Sequence, residues 1–463
     1  MVMSIMEEKM LKETILQRIE EKNMDSLKNL LSESEELEIL QAFYELYPED
    51  QVIVFRLLKK NTALELFEHL DTDEQQNLLR SFTDDKAVEY INELAPDDRV
   101  KLLDELPAKV AKKLINSLSA EERKSTNVLM GYAAQTAGRI MTTEYISLNR
   151  EMTVESALTK IRNQAEDKET VYTLYITSPH KRLEGVISLK DLVLAKDNPR
   201  IEEIMSRKAI SVTTDTDQEE VAQLLKELDL LAIPVVDKEN RIVGIVTVDD
   251  AIDILEEEAT EDIFDQAGLV DITSSEANRS EVLVQGRLWS IWKVRLPFLL
   301  ITLVAGFLAG LVMEGFEEIL ESVTIVAFFI PLIMDMGGNV GTQSSTVFAR
   351  GVVLGHVKVK HFTRHFVKEI GVGFSMGLLI GILAYFVVSL WTGMPLLGLS
   401  VGLALIVTMT LAALLGFLVP FVLIKMHVDQ AAGSAPIITS IKDIAGLMIY
   451  FTFISLFLGS LLY

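Results

Sequence analysis

Residues 331–351 read PLIMDMGGNVGTQSSTVFARG and cover the end of a run from Ser322 to Ala349 whose single charge is Asp335. At ~1.5 Å per helical residue such a run is long enough to cross a bilayer. Pro331, the Gly337-Gly338 pair, Asn339, Gly341 and Gln343 nevertheless work against a plain lipid-facing helix. Irregular backbone at membrane depth is tolerated mainly where it is buried in protein or lines a wet cavity, so the motif predicts an irregular, inward-facing span.

Working outward, Leu296–Met313 is uncharged, Ile370–Ile424 is uncharged and long enough for two spans, and Ile444–Tyr463 closes the chain. The turn inside the long run falls at WTGMPLLG, where Gly393 and Pro395 break the helix. The expectation is an all-α transmembrane domain over 286–463 with five helices at about 294–314, 321–352, 364–391, 397–425 and 435–462. Arg287, Lys293 and Arg295 precede the first span, Lys358, Lys360, Arg364 and Lys368 lie between the second and third, and Lys425 between the fourth and fifth. The bias of basic residues towards the cytosol predicts a cytosolic N-terminal half, a C-terminus outside, and an inner (cell) membrane location.

An ionisable side chain inside a span is costly and marks a candidate functional position. The fifth span opens with HVDQAAGSAPIITSIKDIAG, in which Asp443, Thr439 and the carbonyls around Ala435 and Pro436 lie on one stretch of helix. Few carboxylates combined with amide, hydroxyl and carbonyl oxygens suit a largely hydrated Mg2+, which gives up its waters reluctantly. Asp443 has a second reading as a structural partner of Lys442, although adjacent helical positions point ~100° apart. Asp335 divides between lining a pathway and pairing within the bundle. Gly306, Gly310, Gly373, Gly377 and Gly381 read as helix-packing positions. His361 and His365 have metal-pair spacing but no third ligand, which argues against zinc.

The formal net charge of -24 falls almost entirely on the part of the chain before Trp289. An anionic surface of that size excludes nucleic acid as a partner and favours cations. The chain has no cysteine, hence no disulfide, thiolate metal site or cysteine nucleophile. Its first residues, MVMSIMEEKMLKETIL, are too charged for a signal peptide. Residues 1–135 read as short helices at a step near twelve residues, marked by Leu70, Phe82, Leu94, Leu106 and Leu118, and predict an all-α superhelical stack. No catalytic constellation stands out, and the chain reads as a non-enzyme.

An internal repeat follows. Ile140-Met141 leads through MTVESAL and VYTLYIT to GVISLKD at 185–191, and Ile204-Met205 leads through TDQEEVA and LAIPVVD to GIVTVDD at 244–250. Each copy predicts an α/β unit of strand, helix, paired strands and helix, at 136–200 and 201–255. The paired motifs resemble a tandem of CBS domains, which implies a regulatory module with ATP or another adenine nucleotide as a ligand. Beyond it, DDAIDILEEEATEDIFDQAG contains no basic residue, and 256–285 is expected to form an acidic connecting helix. Like charges at i,i+3 and i,i+4 repel, so a bound cation would change the position of such a helix.

These parts in this order resemble the MgtE family of magnesium channels, with GGNVGTQ in the second span and VDQAAGSAPIITSIKD leading into the last as the most specific motifs. The resemblance implies a homodimer with a pore on the two-fold axis, an ion-selecting Asp443 assisted by Asn339, Thr439 and Ala435, and Asp429 at the cytosolic mouth. Two Asp443 carboxylates would then face one doubly charged ion. It also implies a cytosolic Mg2+ sensor that closes the pore by bridging the N domain, the CBS pair and a connecting "plug" helix. Its matching positions are Asp97, Asp217, Glu219, Asp229, Asp250, Asp253, Glu258, Glu261 and Asp262. The alternatives are a transporter of other divalent cations such as Co2+ or Ni2+, or a membrane-anchored CBS sensor of metal or nucleotide.

Overall fold

The computed structural model describes residues 2–459 except 22, 35, 69, 71–74, 76, 80–83, 107, 166–167, 271–275 and 427–433. The chain divides into two compact units, Met1–Glu256 and Glu257–Tyr463.

In the first unit the twelve-residue step is a row of nine- and ten-residue helices: Pro48–Leu57, Lys60–Glu68, Asp84–Glu93, Pro96–Glu105, Ala108–Ser117 and Ala120–Leu129. Prolines 48 and 96 sit in the first turn, where a missing N–H costs nothing, and Ser119 caps the last helix through the Glu122 amide. Helices this short are marginal alone, so packing holds them. Leu70, Leu94, Leu106 and Leu118 are all buried, while Phe82 falls outside the described residues. A finer repeat was not legible in the apolar pattern. Gln51, Gln75 and Arg99, spaced 24 apart and all buried, donate to the carbonyls of Phe43, Phe67 and Ile91, each eight residues back. One polar side chain thus ties each alternate helix pair.

The repeated motifs build two sheets of identical topology. Strand β1 (Ser147–Leu148) runs parallel to β2 (Thr173–Thr177), which pairs antiparallel with β3 (Leu183–Ser188). Strands β4 (Val212–Thr213), β5 (Ala232–Val236) and β6 (Ile242–Thr247) repeat that order. Each copy needs its glycine. A Cβ on Gly185 would lie 2.6 Å from the Ser206 carbonyl, and one on Gly244 would lie 2.6 Å from the Thr142 carbonyl. The segments following Met205 and Met141 pair there with Val186 and Ile245.

The second repeat runs without a break into a helix over Val248–Gln266, so the acidic run begins inside the α/β module. The single connecting helix expected over 256–285 is two helices, the second being Glu276–Gln285. The reason is local: Gly268 takes a left-handed φ of +73°, the conformation that ends helices.

Among the described residues, five helices are long and apolar enough to cross a membrane. They are Leu288–Glu314, Ile330–Val353, Phe362–Thr392, Pro395–Lys425 and Ser434–Leu458, called here the first to fifth spans. The second span is a continuous helix through Gly337 and Gly338, contrary to the expected irregularity, because Pro331 lies in its first turn and its glycines serve close packing instead. Gly373, Gly377 and Gly381 pack the third span on the fourth: a Cβ on Gly377 would come within 3.0 Å of the Ile406 backbone. Gly306 and Gly310 meet nothing within 4 Å among the described residues.

Candidate functional site

In the membrane unit the Asp443 carboxylate lies on the fifth span one turn after Thr439. Its Oδ1 is buried without a hydrogen-bond partner yet 2.5 Å from the Lys442 ammonium, close enough to pair but off line for a hydrogen bond. Lys442, 3% exposed, aims its Nζ at the Met334 carbonyl, 2.5 Å away on the second span. A Cβ on Gly337 would sit 2.8 Å from Lys442 Cδ, and one on Gly338 would sit 3.1 Å from its Nζ. The glycine pair is therefore the groove that admits the lysine stem. Adjacent residues do meet here, because a four-carbon stem bends back along the helix where a short side chain would not.

Asn339 donates to Asp335 at 3.3 Å, one turn apart on an exposed face of the second span. Ala435 is in the first turn of the fifth-span helix, and Asp429 lies outside the described residues. Pro436 is in that same turn, and its carbonyl accepts from Ser440 at 2.8 Å. Glu369, unremarked in the sequence, accepts from Ser344 at 2.7 Å and gives the second and third spans a polar link.

In the first unit, Asp97 on the Pro96–Glu105 helix is 9% exposed, with Oδ1 unpartnered. Burial first, and then the charges of Asp250, Asp98 and Glu169, push its carboxyl well above the usual range. Asp250, at the start of the acidic helix, is pushed up to about 7, mainly by desolvation and despite a 2.6 Å hydrogen bond from Thr247. Glu169 also rises to about 7: its carboxyl is crowded by neighbouring atoms and by Asp250, Asp249, Asp98 and Glu144, although the residue keeps an exposed surface. Glu169 and Asp98 were missed in the sequence because both sit outside any acidic run. Among the described residues no three carboxylates converge as a closed metal cage. Mg2+ needs only one or two carboxylates beside its waters, and an orphaned buried oxygen among hard donors fits that demand.

The other expected sensor positions spread out. Asp217 caps the Gln218–Glu227 helix, accepting from the Glu219 amide at 2.9 Å, and Asp229 is exposed with φ +51°. Asp253 lies 3.7 Å from Lys101. Glu258, Glu261 and Asp262 are half-buried on the acidic helix. That run is less naked than its sequence: fully buried Arg279 pairs with Asp265 at 2.7 Å, donates to the Leu269 carbonyl and stacks on the Phe264 ring. The end of the helix touches the spans. Thr346 donates to Gln266 at 3.3 Å, and a Cβ on Gly268 would lie 2.9 Å from the Pro436 ring.

The two repeats share one device. Ser188 donates to Asp191 and Thr247 to Asp250, each at 2.6 Å, across the same three-residue step. Asp191 is exposed, whereas Asp250 is drawn into the carboxylate group.

Comparison with known proteins matches residues 34–135 to the MgtE intracellular N domain, 137–198 and 201–257 to CBS domains, and 330–453 to the MgtE divalent cation transporter. The chain is 40% identical over 328 residues to a magnesium transporter MgtE of Thermus thermophilus, covering 71% of each. To that of Bacillus subtilis it is 36% identical over 340 residues, covering 73% of each. The crystal structure of the cytosolic domain of the Mg2+ channel MgtE in complex with ATP covers 52% of this chain and 99% of its own, at 36% identity and a TM-score of 0.50. With its N domain, CBS pair and five apolar helices in the same order, this chain belongs to the MgtE family of divalent cation transporters.

Proposed function

We propose that the chain carries Mg2+ across the cell membrane, as a homodimer with Asp443 in the permeation path, and that Mg2+ bound on the cytosolic side closes that path. The observation that carries the reading is a carboxylate held inside the spans with its Oδ1 buried 2.5 Å from the Lys442 ammonium, a placement the bilayer interior penalises unless it serves a function. Thr439, on the same helix face one turn away, and Asn339 and the Ala435 carbonyl supply neutral oxygens for a hydrated ion. Asp429 takes the ion at the cytosolic mouth, and the N-terminal unit faces the cytosol.

Closure is assigned to the N-terminal carboxylates. Asp97, Asp250 and Glu169 repel one another, and a divalent cation relieves that repulsion, so binding favours their approach. The acidic helix then links the sensor to the spans, because it begins beside Asp250 and its far end packs on Pro436. Asp217, Glu219, Asp229, Asp253, Glu258, Glu261 and Asp262 contribute further charge to the same response. ATP or a related nucleotide is assigned to the CBS pair by likeness to the ATP-bound cytosolic domain.

Flux of Mg2+ into proteoliposomes, with Co2+, Ni2+ and Ca2+ as competitors, tests both parts. Asp443→Asn should lower flux by about tenfold or more; wild-type flux overturns the pore assignment. Neutralising Asp97 and Asp250 together should abolish most of the dependence of flux on internal Mg2+ between chelator and millimolar concentrations. Closure unchanged in that variant places the sensor elsewhere.

A further inference from the structure

The ammonium beside Asp443 has no role in the reading above, on which the following rests. A buried lysine is expensive and demands a counter-charge. Lys442 is nonetheless accommodated at every point: its stem lies over Gly337 and Gly338, its Nζ is anchored on the Met334 carbonyl, and it pairs with Asp443. The pairing is by proximity, since Oδ1 lies outside hydrogen-bond alignment. The ammonium is thus held by the backbone of the second span as well as by its carboxylate neighbour.

We infer that Lys442 is a fixed internal counter-cation that weakens the hold of Asp443 on the permeant Mg2+ and so sets the affinity and turnover of the pathway. An ion arriving at Asp443 meets a carboxylate already paired with a positive charge, and the same charge hastens its departure. Conduction requires binding favourable enough to admit the ion and weak enough to release it. A tethered ammonium supplies that weakness without removing the carboxylate. Lys442 acts through Asp443 and is a positioning and affinity-setting residue, not a ligand.

The test measures Mg2+ flux against Mg2+ concentration in proteoliposomes for full-length Lys442→Met and Lys442→Gln. Both remove the charge, and the glutamine keeps a donor for the Met334 carbonyl. Each should lower the half-saturating Mg2+ concentration by about tenfold and also lower the maximal flux. Half-saturation that is unchanged or raised in whichever variant folds overturns the proposal. So does a methionine variant that is impaired beside a glutamine variant that saturates as the wild type does, which would leave Lys442 a packing role only. Asp443→Asn, run in parallel, separates the two readings. Loss of its flux with wild-type saturation in the Lys442 variants discards this inference alone, whereas undiminished flux in Asp443→Asn discards the pore assignment.

Discussion

Asp97 and Asp443 are both carboxylates with a buried, unbonded oxygen, but their neighbours are of opposite sign. Around Asp97 stand Asp98, Glu169 and Asp250, and burial with like charge raises all three of the shifted acids. Beside Asp443 stands one lysine at 2.5 Å. The first arrangement stores repulsion and is poised to gain from a cation; the second is balanced before any ion arrives. A site meant to report concentration benefits from a large change on binding, whereas a site meant to pass ions benefits from a small one.

The harshest way to break this contrast is on the membrane side. Gly337→Val places atoms where Lys442 Cδ is 2.8 Å and Thr408 Cγ2 is 3.0 Å from the first added carbon. It should cost about 3 kcal/mol and scatter the elution profile in detergent; a monodisperse variant of unchanged thermal midpoint would show that the groove does not hold the lysine. On the other side, Asp97→Asn removes a repelling charge. It should stabilise the first unit by about 1–2 kcal/mol without divalent cations and abolish most of the added stabilisation by Mg2+, read by hydrogen exchange of the Pro96–Glu105 helix.

A gentler probe is pH. Asp250 and Glu169 titrate near 7 when folded, above their ordinary values near 4, so the folded state binds extra protons in that interval. Their contribution is present below about pH 4 and is lost as pH rises through about 7. In chelator, protection of the first unit should therefore fall between about pH 5 and about pH 8, and Mg2+ should restore it most at the upper end. The smallest effect is expected from Thr247→Val, which deletes a 2.6 Å hydrogen bond to Asp250. It should shift the Asp250 titration further upward and alter stability by about 1 kcal/mol, visible in carboxyl-resolved NMR.

Much of this was legible in the sequence because it rests on local pattern. Five apolar runs, the twelve-residue helical step and the doubled GVISLKD/GIVTVDD motif each reappear as the element that their periodicity implies. Asp443 was legible as a charge inside a span and Asp250 as part of an acidic run, whereas Asp97 was reached only through the family resemblance. What escaped depends on contacts across long separations. Glu169 has no local mark and matters only because Asp250 folds beside it. Lys442 was noted beside Asp443, but its place on the Met334 carbonyl, 108 residues away, is a property of packing. The Gly337-Gly338 pair was read as a backbone irregularity when it is an indentation. Arg279 lies beyond the acidic run in sequence and turns back onto it.

The 24-residue ladder of Gln51, Gln75 and Arg99 has a mechanical consequence. The two glutamines hold the carbonyls of Phe43 and Phe67, and Arg99 reaches the carbonyls of Ile91, Asn92 and Leu94 and also pairs with Glu122. The helix that bears Asp97 is thereby tied to its neighbours on both sides. Force applied at Asp97 therefore travels through the Arg99–Glu122 pair into the Ala120–Leu129 helix.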